Sequence, residues 1–224
     1  LGYLLNMDTF IPFGIEEATA SFEIDRKTFK VDSKNYYSTK TKKTQIILAG
    51  SLRKGSNRIL RLKKKDFGLT KIWPMFTIRR DGKIFQHFDP NYHSDFMGNK
   101  EIDRKSISIV LENMGMLSFD YEKNKYLNWI NEECDESNVH EKLWKNNRYW
   151  ETYTEEQFTS CVKLCVYLCR NYGVKQDCLG YYVHHEAALL YNGILTRSNY
   201  DSEYCDLNPS FDFKRFLKEL NIFI

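Results

Sequence analysis

The 224-residue chain reads as an α/β domain with a mixed central β-sheet flanked by helices. Three segments carry that expectation. Met75–Arg80 and Lys83–Phe88 are β-rich runs joined by Asp81-Gly82, a strong hairpin signal. Ser106–Leu111 alternates and then becomes continuously apolar, as a strand covered on both faces does. Thr154-Glu155-Glu156-Gln157 is a capping box, and Phe158, Cys161, Val162, Cys165, Leu168, Cys169 and Tyr172 follow it at helical spacing.

Taken in order, residues 1–40 differ from the rest. Two short apolar clusters, Leu1 to Leu5 and Phe10 to Phe13, precede a polar stretch containing Tyr36-Tyr37. This density of aromatics suits an ordered N-terminal arm packing on the domain, 41–224, or on a partner. The first residues lack the basic stretch and long apolar run of a secretory signal. With no initiator Met, the expectation is a processed chain or a piece of a longer one. The domain core opens with the strand Thr44–Leu48, running into Ala49-Gly50-Ser51. Gly55 to Leu62 is a weak helix or loop. The expected Asp-Gly turn takes positive φ at both central residues. Residues 118–150 mix Tyr, Trp, Asn and charge without a clear period and read as a long decorated loop. Gly173 is placed to end the capped helix. Tyr181-Tyr182-Val183-His184 is a short strand candidate, and Ser210 to Leu220 closes the chain as an amphipathic helix.

Composition narrows the function. A hydrophobic share of 42% and a charged share of 28% describe a globular domain, and a net charge of +3 is too small to argue for nucleic acid. The basic run Arg61–Lys65 reads as a solvated surface rather than an anion site. No run approaches the ~20 apolar residues of a membrane span. The six cysteines, 134, 161, 165, 169, 178 and 205, form no Cys-x-x-Cys pair, which argues against a zinc ribbon. Cys161, Cys165 and Cys169 read as small residues facing a sheet, and reduced thiols suit assembly in a cytosol.

Five segments, in order, resemble the zinc-dependent N-acetylmuramoyl-L-alanine amidases of the peptidoglycan-recognition fold. They are Thr44–Leu48; Phe76–Phe88 with Arg-Asp-Gly-x-Ile; Ser106–Gly115 with Glu-Asn-x-Gly; Tyr153–Tyr172, opening Tyr-Thr-x-Glu-Gln; and Gly193–Leu217, which contains Asp206-Leu207-Asn208-Pro209-Ser210-Phe211-Asp212. The resemblance spans about residues 44–220 and is strongest to amidase-like proteins of bacteriophages. It implies a zinc ion held by two imidazoles and a carboxylate or thiolate, with a fourth position for water.

The residues at the corresponding positions depart from that set. The first ligand position holds Ala49, the second Arg197 and the third Asp206. Pro74 stands where relatives carry a Tyr, Phe96 where they carry the His of His-x-Gly, Val110 where many carry a Glu, and Tyr204 where they carry a Lys. An arginine at a ligand position opposes a metal and can neutralise the remaining carboxylate, so Arg197 and Asp206 are expected to pair. The resulting expectation is a non-catalytic amidase-fold protein without a cofactor: a virion component in a tail or baseplate, assembled in a bacterial cytoplasm. It would contact other virion proteins through its arm, or bind peptidoglycan. The alternative is an active zinc amidase with re-sited ligands, Asp206 and His184 (or His185, in His-His-Glu), helped by His87 or His93. A third reading keeps a peptidoglycan-binding groove lined by Trp73, Tyr92, Trp129, Trp144 and Trp150, against the simpler view that these residues pack the domain.

Overall fold

The computed structural model describes residues 23–52 and 71–222. Leu1–Leu5, Phe10–Phe13, Gly55–Leu62 and Arg61–Lys65 lie outside them.

The strands are β1 (Ile24–Asp25), β2 (Gln45–Gly50), β3 (Phe76–Ile78), β4 (Ile84–Gln86), β5 (Ser106–Leu111), β6 (Met116–Asp120), β7 (Lys125–Asn128), β8 (Glu133–Cys134), β9 (Val139–Trp144), β10 (Asn147–Glu151) and β11 (Gly193–Thr196). The helices are α1 (Lys100–Lys105), α2 (Glu155–Tyr172), α3 (Arg197–Tyr200) and α4 (Phe213–Ile222). Six strands form the main sheet in the order β1-β4-β3-β5-β2-β11. β3, β5, β2 and β11 run parallel, and β4 returns antiparallel to β3, so the sheet is mixed as expected.

Alternation along the central strands separates two faces. Ile46 and Leu48 of β2, with Ile107, Ile109 and Leu111 of β5, join Phe158, Cys161, Val162, Cys165, Leu168 and Cys169 of α2 in one core. The small thiols let α2 lie close to the sheet, and burial pushes the Cys169 thiol up to about 12. Phe213, Phe216 and Leu220 of α4 complete this layer. Thr154 and Gln157 make the reciprocal capping box, and Gly173 closes α2 in the left-handed conformation (φ 67°, ψ 28°). Residues 23–40 pack on the same domain: Tyr36 stacks on Phe88 at 4.8 Å and on Tyr92 at 5.4 Å.

Three expectations need correction. Residues 118–150 are no loop: they lie within a second, antiparallel sheet ordered β8-β7-β6-β10-β9. Its strands are short and partly exposed on both faces, which erases the alternation that marks a half-buried strand. The Asp81-Gly82 hairpin forms, but only Gly82 takes positive φ (76°). Gly82 N donates to Arg79 O and Arg79 N to Lys83 O, a tighter turn plus one bulged residue. A Cβ on Gly82 would sit 2.9 Å from Glu156 O, so the turn is pressed against α2. The turn with positive φ at both central residues is instead Lys145-Asn146 (47° and 62°), joining β9 to β10. Finally, Tyr181–His184 is not a strand. Tyr182 has φ 65°, and its hydroxyl donates to Pro209 O (3.2 Å) and Phe211 O (2.8 Å), so ring packing overrides its strand propensity.

One buried cation has a measurable consequence. Lys43 is 2% exposed, and its Nζ donates to Tyr92 O at 2.7 Å and Arg104 O at 3.0 Å. Burial lowers its pKa to about 7, against an ordinary 10.5. Between those values the unfolded chain binds the proton that the folded chain has lost, so Lys43's contribution to stability rises with pH across that window. Lys43→Met is expected to flatten that slope, read from urea midpoints at pH 7 and pH 9.5. An unchanged slope would refute it.

Candidate functional site

The candidate site forms where parallel strands end together. β2, β5 and β11 run in register, Ala49 beside Val110 and Thr196 beside Leu48. Their carboxyl ends therefore bring Ala49-Gly50, Val110-Leu111 and Arg197 to one edge, where open α/β sheets place their binding sites. Ala49 and Val110 are fully buried. Neither offers a donor atom to a ligand.

Arg197 and Asp206 pair at this edge. Arg197 Nε donates to Asp206 Oδ2 at 2.6 Å. Gly50 N donates to the same oxygen at 2.9 Å, and Arg197 Nη2 donates to Gly50 O at 3.1 Å. The guanidinium thus bridges the carboxylate and the strand end, closing a ring of three charge-assisted bonds. The pair is desolvated: the side chains are 13% and 3% exposed. Aromatic rings cover the cation, with the Tyr204 ring 4.7 Å and the Phe96 ring 5.7 Å from Arg197 Cζ. A Cβ on Gly50 would lie 3.4 Å from Tyr153 Oη and 3.5 Å from Asp206 Cβ, so the space beneath is filled as well. Burial, then the Asp206 charge, pushes the Tyr153 phenol well above its ordinary range.

Four of the seven positions singled out in the sequence therefore meet at Arg197, which contacts Phe96, Tyr204 and Asp206. Ala49 and Val110 lie side by side near the ends of β2 and β5. Pro74 lies apart, before β3, whose Thr77 is the residue level with Val110. Gly50 and Tyr153 also belong to the site, although the sequence gives neither a site role. Tyr153 was visible as the first residue of Tyr-Thr-x-Glu-Gln, but its spacing gave no sign that its hydroxyl would end beside Gly50.

The histidines of the alternative ligand set lie in different surroundings. His87 is fully buried; its Nε2 meets Thr77 Oγ1 at 2.8 Å and its Nδ1 meets Phe29 O at 2.9 Å. His93 is buried under Tyr37, ring to ring at 4.9 Å. His184 and His185 are exposed, and His185 Nδ1 accepts from Ala187 N. Among the described residues, no three His, Cys, Asp or Glu side chains are grouped to hold a metal. The donor set at the strand ends does not fit zinc: one carboxylate oxygen already accepts two hydrogen bonds, a cation stands against it, and the nearby Ala49 side chain carries no donor atom.

The tryptophans mostly pack. Trp73 and Trp150 are buried, Trp144 lies against Trp150 and Tyr182, and Tyr92 stacks on Tyr36. Trp129 is 49% exposed, with its Nε1 donating to Leu52 O.

Two of the family-like motifs meet next to the pair. Asn208 Nδ2 donates to Asn113 Oδ1 at 2.9 Å, and both amides donate to Glu151 O. This knot fixes the segment after Asp206 to the end of β5 and to β10.

The fold and the strand-end arrangement define an amidase-type α/β domain. Residues 40–200 match the sequence profile of the N-acetylmuramoyl-L-alanine amidases, and the chain belongs to that family. Solved structures agree on the fold. The N-acetylmuramoyl-L-alanine amidase LysC from Clostridium intestinale URNW superposes with a TM-score of 0.52 at 16% identity, over 90% of this chain and 99% of that one. A mutant endolysin from Bacillus subtilis gives 0.53 at 14% identity, over 89% and 99%. The amidase AmiD from E. coli, solved with anhydro-N-acetylmuramic acid-L-Ala-D-gamma-Glu-L-Lys, gives 0.53 at 10% identity, over 82% and 59%. No curated protein matches the chain in sequence.

Proposed function

We propose that this amidase-family chain is non-catalytic and serves as a bacteriophage virion component, in a tail or baseplate, whose retained fold acts structurally or binds the cell wall. The observation that carries the reading is the desolvated Arg197–Asp206 pair. Amide hydrolysis of the family's type needs a polarised carbonyl and an activated water. Here the carboxylate is neutralised by a guanidinium, and Ala49 and Val110, near the ends of β2 and β5, supply no general base. Similarity to endolysins and to an amidase solved with a peptidoglycan fragment supports a wall-related role; residues 1–40 are the candidate contact with other virion proteins.

The test has two arms. Purified protein incubated with peptidoglycan is expected to release no stem peptide, with or without added zinc. Hydrolysis abolished by Asp206→Ala would overturn the non-catalytic reading. Quantitative mass spectrometry of purified particles is expected to find the chain at a fixed copy number. A chain recovered only in the free lysate would refute the virion assignment. Co-sedimentation with purified sacculi separates wall binding from a purely structural role.

A further inference from the structure

We propose that the β9–β10 hairpin is a strap that locks the Asp201–Asp206 loop, and through it the Arg197–Asp206 pair, in the closed arrangement. The hairpin holds this loop at its tip and the segment after Asp206 at its root. At its tip, Lys145 Nζ donates to both Ser202 O and Tyr204 O. At its root, Glu151 O accepts from Asn208 Nδ2 at 3.1 Å and from Ser210 Oγ at 3.0 Å. The tip is built for that reach. Lys145 and Asn146 both hold left-handed backbone, a conformation that costs non-glycine residues energy and that aims Lys145 across the loop.

The strap is itself stiff. The Lys145 ammonium lies 4.7 Å from the Trp144 ring centre, and Trp144 packs at 5.5 Å on the fully buried Trp150, whose Nε1 donates to Lys142 O. Trp144 Nε1 also donates to Tyr182 O at 3.3 Å, tying in the neighbouring loop. The contacts then run inward: Lys145 holds the Tyr204 backbone, the Tyr204 ring covers Arg197, and Arg197 holds Asp206. The second sheet is thus a brace on the strand-end site, and this role stands whether or not the site retains chemistry.

Cys205, half-buried within the clamped loop, reports on the strap. Burial raises its thiol pKa and the Lys145 charge lowers it. Removing that charge alone would slow alkylation, because less thiolate forms. Releasing a strap would speed it, because the loop opens. In the full chain, iodoacetamide labelling of Cys205, followed by peptide mass spectrometry, is expected to run about tenfold faster in Lys145→Ala and near the wild-type rate in Lys145→Arg. Cys165, fully buried in the core, should stay unlabelled and so certify the fold. A slower or unchanged Cys205 rate would overturn the proposal. If Lys145→Ala exposes Cys165, the milder Lys145→Met, which keeps most of the side chain's length and removes the ammonium that holds Ser202 O and Tyr204 O, must still accelerate Cys205; no acceleration there would also overturn it.

Discussion

Arg197→Ala is expected to destabilise the domain by about 3–5 kcal/mol, the usual cost of leaving a buried charge without its partner. Asp206 is almost fully buried, and the truncation strips it of a 2.6 Å charge-assisted bond. Gly50 N remains as a donor to Oδ2, but Gly50 O loses Arg197 Nη2. The rings of Phe96 and Tyr204 also lose the cation they cover. Urea unfolding followed by far-UV circular dichroism measures the effect. Adding Asp206→Asn to Arg197→Ala should recover part of the loss, since the amide oxygen still accepts from Gly50 N without carrying charge. A loss below about 1 kcal/mol would place the pair among weakly contributing surface bridges and remove the physical basis for a sealed site.

Ala49→His is the second large effect, and its direction is opposite to what family resemblance alone suggests. Placing a histidine at position 49 should cost about 1–3 kcal/mol from overpacking, and more if the imidazole finds no hydrogen-bond partner. Ala49 is fully buried beside Val110, in the ladder between β2 and β5. The variant should acquire no zinc site, because Arg197 still faces Asp206. Urea midpoints and zinc titration of the variant check the two halves separately. A stabilised variant that binds one zinc would show that the site is poised rather than dismantled.

What the sequence made legible follows from how local each signal is. The capping box of α2, its apolar stripe and the closing Gly173 are encoded within a few residues, and all are present. The central strand was readable because Ser106–Leu111 alternates and then becomes continuously apolar. The convergence of Phe96, Arg197, Tyr204 and Asp206 was legible only through family resemblance, since their meeting depends on three parallel strands ending in register. The second sheet was not legible. Its strands carry Tyr, Asn, Glu and Lys on partly exposed faces, and its decisive turn, Lys145-Asn146, lacks the glycine that usually marks such a bend. Tyr182 misled in the opposite way: a β-prone residue whose side chain is better satisfied by Pro209 O, Phe211 O and the surrounding rings than by a ladder.

The proposed non-catalytic reading rests on a guanidinium, not a metal, partnering Asp206 at the strand ends. Calorimetric titration of Zn²⁺ into the purified wild type and into Asp206→Ala tests it most directly. The account predicts that the two isotherms coincide, any weak binding coming from exposed histidines and half-buried thiols away from Asp206. One zinc per chain bound by the wild type and lost in Asp206→Ala would contradict it.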